Sequence, residues 1–344
     1  MFARNAVKFK APLGARGIAV VPNDLPPVLR RAMLYGKFTP LALVPPYRGL
    51  PGSNPRMLEK SLASPADSIS YDLEDAVAPA QKPEARRLVS DMLNSGKRPK
   101  GEVMIRINAV GTGFEEDDVK TALTTRNVSA IALPKTNSPD HIAWLVSRIN
   151  EYAPAERRTG GASPMRIVGM IESAEAMVNI HEIAASGQGH LDSLLFAAED
   201  YCADVGITRT PSLQELLYHR SRLVVAAKAW GLQAIDLVCV NFKQPEVLAR
   251  ECEDGHRLGF TGKQAIHPNQ VEEIQRAYAP SDKAIRKAAR VKFSFELNDQ
   301  AGKGAYALDG AMIDAPVYKQ ALKVLSLASA AGLPIPEITE KDIQ

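Results

Sequence analysis

The chain of 344 residues is long enough for one large domain or two small ones, and its 45% hydrophobic and 24% charged residues can form a sizeable core. Its formal net charge of +3 is no nucleic-acid signature, and no apolar run approaches the roughly 20 residues that a membrane span needs. The three cysteines are an odd number without CxxC spacing, so the sequence indicates neither a disulfide framework nor a zinc site.

The amino-terminal tail, residues 1–29, differs in composition from the rest of the chain. Its first 23 residues contain four basic side chains and no acidic one, and the apolar residues are scattered rather than gathered in one run. This composition is typical of a mitochondrial transit peptide. A basic tail without a targeting role is the alternative.

From residue 30 to 280, short apolar runs alternate with helical stretches. Seven runs end in polar residues, and their markers lie 26 to 41 residues apart: Asp72, Arg106, Lys135, Glu172, Asp200, Asn241 and His267. Each step is the length of one strand, one helix and two loops. With a first strand near residues 33–52 the pattern gives eight units, the number that closes a (β/α)₈ TIM barrel.

An open, doubly wound sheet would show the same alternation. Such sheets more often begin with a Gly-rich phosphate turn, and no GxGxxG follows the first predicted strand here. The barrel is therefore favoured. In barrels the carboxyl ends of the strands form the rim where active sites are built.

Three acids follow two consecutive predicted strands. Glu172 comes after residues 166–171, and Glu199 and Asp200 come after residues 193–198. Parallel strands joined by a helix end on the same side of a sheet, so these carboxylates should meet at one rim. They would repel one another unless a cation lay between them, and all-oxygen ligands suit Mg²⁺. The alternative is that they only cap the helices that follow.

Beyond residue 280 the alternation stops. Residues 281–297 predict a basic helix, residues 298–310 a Gly-containing loop, and residues 315–330 an amphipathic helix introduced by Asp314 and Pro316. This carboxyl-terminal helical extension, residues 281–344, adds no barrel strand. We expect it to pack across the barrel or onto a neighbouring subunit.

Nine short motifs together resemble one known family. They are PGSNPRMLEK (51–60), DLEDAV (72–77), KPEAR (82–86), RIN (106–108), LPK (133–135), GMIES (169–173), AAEDYCADVG (197–206), GFTGKQAIHPNQ (259–270) and GAMIDAPVYKQA (310–321). The set resembles the citrate lyase β-subunit-like group of the HpcH/HpaI aldolase superfamily, and the last two motifs most resemble its mitochondrial members that cleave citramalyl-CoA. The resemblance implies a Mg²⁺-dependent TIM barrel, commonly trimeric, that cleaves or forms C–C bonds of 3-hydroxy-acyl-CoA thioesters.

The resemblance also implies roles for the central residues. Glu172 and Asp200 would be the metal ligands, with waters completing the octahedron. Arg106 would clamp an anionic group and stabilise developing negative charge, and Asp314 would be a catalytic acid/base that reaches the site of an adjacent subunit. Read without the resemblance, Arg106 can be a surface salt-bridge partner, and Asp314 looks like a helix N-cap.

Further residues are implied in substrate binding. The positive charges of Arg56 and Lys60 suit the phosphates of coenzyme A, and Pro51-Gly52 would allow close approach of the coenzyme to the backbone. Glu74 is the first candidate to contact metal-bound waters or to orient Arg106. The remaining predicted substrate-binding residues are Tyr35, Ile266 and His267, the last with a packed structural histidine as its alternative.

Residues 36–49 depart from the family pattern. The family's first strand reads LY, one apolar residue, then PG, whereas fourteen residues here separate Leu34-Tyr35 from Leu50-Pro51-Gly52. We interpret the segment as an insertion at the barrel mouth or as a translated intron.

The sequence therefore predicts a Mg²⁺-dependent C–C lyase, with citramalyl-CoA cleaved to pyruvate and acetyl-CoA, in a mitochondrial homo-oligomer, a trimer by resemblance. An acyl-CoA thioester is the expected partner, and neither nucleic acid nor membrane is expected. One alternative is malyl-CoA or β-methylmalyl-CoA lyase chemistry, or a malate synthase-like condensation. The other is a catalytically weak CoA-binding barrel whose mouth the insertion has altered.

Overall fold

The computed structural model describes residues 28–35, 50–300 and 306–343. Its strands are β1 (Ala32–Tyr35), β2 (Leu50–Pro51), β3 (Ser68–Asp72), β4 (Glu102–Arg106), β5 (Val128–Leu133), β6 (Arg166–Ile171), β7 (Leu191–Phe196), β8 (Gln233–Asp236), β9 (Gly262–Ala265), β10 (Tyr306–Leu308) and β11 (Ala311–Ile313).

The helices are α1 (Pro55–Ser61), α2 (Lys82–Asn94), α3 (Glu115–Thr124), α4 (Pro139–Tyr152), α5 (Ala174–Val178), α6 (Ile180–Ala185), α7 (Ala198–Val205), α8 (Leu217–Ala229), α9 (Pro245–Leu258), α10 (Val271–Tyr278), α11 (Asp282–Gln300) and α12 (Ala315–Ala330). None of these described helices is long and apolar enough to cross a membrane.

Eight parallel strands close into a barrel. Along the sheet the order is β1, β9, β8, β7, β6, β5, β4 and β3, and β1 also pairs with β3, which completes the cylinder. Helices lie between successive strands. The predicted (β/α)₈ TIM barrel is confirmed.

The first barrel strand is split in two. Tyr35 at the end of β1 pairs with Ser70 of β3, and Leu50 at the start of β2 pairs with Tyr71, the next residue of β3. The two pieces thus occupy consecutive register positions on one strand line. Residues 36–49, the predicted insertion, lie outside the described residues, as does the predicted targeting tail up to residue 27.

Side chains alternate between two faces of the sheet, because successive residues of a strand point in opposite directions. In β5, Ala130 and Ala132 face the barrel interior, while Ile131 and Leu133 belong to the core between sheet and helices. The interior cluster consists of Met33, Tyr35, Met104, Ala130, Ala132, Val168, Met170, Leu195, Ala197 and Ile235. The barrel is therefore filled rather than hollow.

A buried ion network lies at the amino-terminal end of the barrel. The fully buried Arg30 donates from Nε to Glu102 at 2.6 Å and from Nη1 to Asp192 at 2.8 Å and Ser193 at 2.6 Å. These groups close that end of the barrel with paired charges. The functional site is therefore expected at the opposite end of the barrel, where the strands finish.

The carboxyl-terminal extension has its own small core. Residues of α11 and α12 pack with the β10–β11 hairpin around Ile285, Leu308 and Leu325, and this cluster is separate from the two barrel cores. The hairpin corrects the loop predicted for residues 298–310, since α11 continues to Gln300. Asp309 and Gly310 both have positive φ, as a tight hairpin turn requires.

Candidate active site

A cavity opens at the carboxyl-terminal ends of the barrel strands. Its walls are Tyr35, Arg106, Met170, Ala197, Ala198, Glu199, Asp200, Val238, Gln264 and Ile266. Four predicted site residues meet there: Tyr35, Arg106, Asp200 and Ile266. Several different strands contribute, as in barrels whose active sites lie at this rim.

Arg106 is fixed at the wall of the cavity by two carboxylates. Its Nε and Nη2 donate to the two oxygens of Asp72 at 2.8 and 2.6 Å, and its Nη1 lies 3.1 Å from Glu74 Oε2. The guanidinium carbon is 5.9 Å from the centre of the Tyr35 ring. Arg106 therefore forms a buried, bidentate ion pair, which fixes the plane of its guanidinium group. It is not the exposed salt-bridge partner that the sequence left open.

Glu74 connects this group to Lys135. Glu74 Oε1 accepts a hydrogen bond from Lys135 Nζ at 2.8 Å, and the backbone N–H of Lys135 donates to the Glu172 carboxylate. Lys135 has a φ of 47°, a left-handed conformation uncommon for a residue with a side chain. Lys135 therefore contacts two predicted site residues, a role that its LPK motif alone did not reveal.

Glu172 and Asp200 lie close enough to interact electrostatically. Burial raises the pKa of the Glu172 carboxyl to about 8, and the neighbouring carboxylates of Glu74 and Asp200 also raise it. Asp200 is exposed at the side of the cavity, yet partial desolvation still raises its pKa, with a further contribution from Asp75. Neighbouring carboxylates disfavour each other's charged forms, and a cation between them removes that penalty.

None of these acids is the N-cap of the helix that follows, although Glu199 and Asp200 lie in the first turn of α7. Ser173, not Glu172, accepts the N–H of Ala176 at the start of α5. The strand predicted over residues 193–198 ends at Phe196, so Asp200 lies in the first turn of α7, whose N-cap Ala197 has no side-chain cap. Similarly, the single helix expected between these two strands is two helices that meet at Asn179.

The donor set fits a magnesium ion. Glu172 and Asp200 supply oxygen ligands only, and Mg²⁺ in proteins is usually held by one or two carboxylates while waters and substrate oxygens fill the other positions. Among the described residues, no group of three or more His, Cys, Asp or Glu side chains is placed to hold a metal ion. The protein itself thus offers a pair of carboxylates rather than a closed cage.

The predicted coenzyme residues lie outside this cavity. Arg56 and Lys60 are exposed on α1, which Asn54 caps by accepting the N–H of Met57 at 3.2 Å. A Cβ added at Gly52 would lie 3.0 Å from Val89 and 3.1 Å from Leu73. Gly52 therefore suits a place where the chain packs closely on α2, while the predicted close approach of the coenzyme stays a prediction.

Ile266 and His267 differ in their surroundings. Ile266 lines the cavity, whereas His267 does not. His267 Nδ1 accepts the N–H of Asn269 at 3.2 Å, and its ring stacks on Phe242 with the ring centres 5.3 Å apart. His267 is thus held at the start of a turn but is only half-buried, so it is not a core histidine, and its predicted role in substrate binding stays a prediction.

Asp314 is the N-cap of α12. Its Oδ1 accepts the N–H of Val317 at 3.1 Å, and the residue does not line the cavity of its own chain. Toward the other end of α12, Ser326 and Leu327 border a cleft that also contains Arg30, at the amino-terminal end of the barrel. Within one copy of the chain, Asp314 is therefore not part of the cavity.

Two residues of the cavity region were not predicted from the sequence. Gln264 Nε2 donates to the carbonyls of Phe196 at 2.9 Å and Asp236 at 3.1 Å, which ties β9 to its neighbour β8 and to β7 beyond it. Arg209 pairs with Glu199 and donates to the Val238 carbonyl at 2.9 Å. Apart from Glu199, ten residues before Arg209, their partners lie 28 to 68 residues away, so no local spacing could indicate them.

Comparisons with known proteins agree with this geometry. The profile of the HpcH/HpaI aldolase/citrate lyase family matches residues 50–268. The mitochondrial citramalyl-CoA lyase of Rattus norvegicus is 33% identical over 311 residues, which cover 88% of this chain and 87% of the relative. Citrate lyase subunit beta of Leuconostoc mesenteroides subsp. cremoris is 37% identical over 284 residues, 83% of this chain and 93% of the relative.

A solved structure is similar over most of its length. Protein CitE of Mycobacterium tuberculosis, in complex with magnesium, acetoacetate and coenzyme A, has a TM-score of 0.63 and 28% sequence identity, and the match covers 88% of this chain and 97% of that one.

Proposed function

The chain belongs to the HpcH/HpaI aldolase/citrate lyase family and is a carbon–carbon lyase, and we propose that it cleaves citramalyl-CoA to pyruvate and acetyl-CoA with Mg²⁺. The observation that carries the proposal is the meeting of Glu172, Asp200 and the doubly paired Arg106 at one rim of the barrel. The coarser activity, a Mg²⁺-dependent lyase for CoA substrates, agrees with the relatives and with the magnesium and coenzyme A bound in the similar structure.

The chemistry of the reaction explains these residue types. The substrate's tertiary hydroxyl must lose its proton as the C–C bond breaks, and negative charge develops on the enolate of the leaving thioester. Glu172 and Asp200 would hold Mg²⁺, which when bound polarises the substrate's oxygens and acidifies the hydroxyl. Arg106, immobilised by Asp72 and Glu74, is preorganised to stabilise an anion.

Other predicted residues extend the site. Tyr35 and Ile266, which line the cavity, would contact the acyl group, and the exposed Arg56 and Lys60 would bind the coenzyme phosphates. Asp314 of a neighbouring copy would supply the acid/base, since it is not in its own cavity.

Assembly and location follow from the same reasoning. A site that borrows Asp314 requires a homo-oligomer, and a trimer is the first expectation. The mitochondrial matrix is proposed from the basic, acid-free composition of residues 1–23 and from the rat relative's name, although a bacterial relative is equally similar.

The test is an assay of the purified protein with citramalyl-CoA, malyl-CoA and β-methylmalyl-CoA, each in Mg²⁺ and in EDTA. We expect EDTA-sensitive release of pyruvate, with the highest kcat/KM for citramalyl-CoA. Faster release of glyoxylate from malyl-CoA or β-methylmalyl-CoA would instead select the related lyase chemistry. No turnover of any substrate while coenzyme A still binds would contradict a lyase and favour a CoA-binding barrel.

A further inference from the structure

Two adjacent acids line the cavity, but their surroundings differ. Glu199 forms an ion pair with Arg209 Nη1, and the side chains of Glu199 and Arg209 are 23% and 11% exposed. Asp200 is repelled by Asp75 and attracted by the more distant charges of Arg106 and Lys135, but no described Lys or Arg lies within salt-bridge distance of it. Glu199 therefore has a direct ion-pair partner, and Asp200 does not.

Arg209 itself is anchored on two further sides. It lies in the connection between α7 and α8, and its Nη2 donates to the Val238 carbonyl at 2.9 Å and lies 3.2 Å from Glu251 Oε1. The second oxygen of Glu251 is 3.0 Å from Nζ of Lys263, which is fully buried in β9. Glu199, the Val238 carbonyl and Glu251 together hold the Arg209 guanidinium, so it cannot move with Glu199 toward the centre of the cavity.

The adjacency of Glu199 and Asp200 makes this anchoring chemically important. The proposed substrate carries a carboxylate and the phosphates of coenzyme A, so an additional free carboxylate in the wall would repel it. That carboxylate would also compete with substrate oxygens for open positions on a divalent cation, since Mg²⁺ prefers oxygen ligands. An acid in this cavity wall avoids both effects only if it is already paired with a cationic side chain.

We propose that Arg209 is a positioning residue that distinguishes the two neighbouring acids: it holds the Glu199 carboxylate in an ion pair at the cavity wall, away from the divalent cation, and leaves Asp200 available to the cation. The inference rests on the proposed function, because it needs an anionic substrate and a cation at Asp200. It assigns no chemical step to Arg209.

The test compares full-length Arg209→Met, Glu199→Gln and the double variant, with Arg87→Met as a control that breaks an exposed ion pair on α2. Arg209→Met should raise KM for citramalyl-CoA by about tenfold through like-charge repulsion. Its Mg²⁺ affinity without substrate, measured by calorimetry, should not fall, because a carboxylate has been freed beside the cation. The double variant should return KM to within about threefold of wild type, and the control should change neither quantity.

Rescue by Glu199→Gln separates this role from simple packing. If the double variant is as impaired as Arg209→Met, Arg209 acts only through the structure and the inference is wrong. Loss of Mg²⁺ binding in Glu199→Gln would also overturn it, because Glu199 would then be a ligand. If Arg209→Met does not fold, Arg209→Gln with and without Glu199→Gln gives the same comparison, because glutamine removes the positive charge while keeping hydrogen-bond donors. Wild-type protein that neither binds Mg²⁺ nor cleaves substrate would refute the proposed function instead.

Discussion

At the scale of single residues, the site depends on charges that are buried and paired. Arg106 and both of its carboxylate partners, Asp72 and Glu74, are at most 6% exposed at their side chains. Removing a charge from water is costly, and close oppositely charged partners offset that cost. Losing one partner would leave a buried charge unpaired, so these residues are constrained together rather than singly.

His190 gives a residue-scale prediction about pH. Its buried ring contacts the Met165 carbonyl at 2.7 Å and Thr159 Oγ1 at 2.9 Å, and burial lowers its pKa. As the pH falls, the unfolded state takes up the proton first, at its usual pKa of about 6.5. The contribution of neutral His190 to stability is therefore complete above that pH and is lost below it, by at most about 1.4 kcal/mol per pH unit.

Urea denaturation at several pH values between about 7.5 and 5.5 measures this effect, because the window brackets the usual histidine pKa. His190→Gln should be less stable at neutral pH, yet its free energy of unfolding should fall less steeply on acidification. Identical slopes for the variant and the wild type would show that His190 does not carry the effect.

Residue types at the rim could be predicted from the sequence, but not their pairing. A charged residue directly after a buried apolar run indicates a strand end, and this pattern identified Arg106 and Glu172. Which acid holds Arg106 depends on distances between side chains on different strands. Glu74 was ranked first from the sequence, whereas Asp72 makes the bidentate contact.

At the scale of elements, the split first strand is the unusual feature. Tyr35 and Leu50 pair with consecutive residues of β3, although fourteen residues separate them in the chain. The ladder on β3 therefore contains no gap at this point. Joining the two residues directly is compatible with the register of the sheet.

A variant lacking residues 36–49 should consequently fold into the same barrel. The shorter connection costs less loop-closure entropy, so we expect an unchanged far-ultraviolet circular dichroism spectrum and a Tm no lower than that of the wild type. Replacing the segment with a Gly/Ser linker of equal length is the matched control. Loss of cooperative unfolding in the deletion alone would show that the strand requires the segment.

Element types were more predictable than element ends. The short apolar runs and their spacing sufficed for eight strands, since a parallel strand buried on both faces is a nearly continuous apolar run. The end of β7 was misplaced because Ala197 and Ala198 suit a strand and a helix alike, and the helix begins at Ala198. The β10–β11 hairpin was missed because its strands contain only three residues each.

At the scale of the whole molecule, the extension does not share the core of its own barrel. Its apolar cluster is separate, and it exposes Met312 by 73% and Leu327 by 43%. Met312 lies two residues before Asp314. An exposed apolar side chain beside a proposed catalytic residue is consistent with a surface that another copy covers, although no feature of the sequence fixes how many copies assemble.

Mixing two inactive variants tests this arrangement. Glu172→Ala and Asp314→Asn should each be inactive, and oligomers assembled from equal amounts of both should recover about a quarter of wild-type activity, because one site in four then combines two intact residues from adjacent copies. Mixing Glu172→Ala with Asp200→Asn is the control and should recover none, since both residues belong to one chain's site. Full activity of Asp314→Asn alone would return Asp314 to helix capping.

The measurement that tests the central claim most directly is Mg²⁺-dependent cleavage of citramalyl-CoA by wild type and Glu172→Ala. Glu182→Ala is the matched control, because Glu182 is exposed on α6. We predict that Glu172→Ala loses Mg²⁺ binding and at least about 100-fold in kcat/KM, as expected when a metal ligand is removed, while Glu182→Ala matches wild type. Full Mg²⁺-dependent turnover by Glu172→Ala would contradict the account.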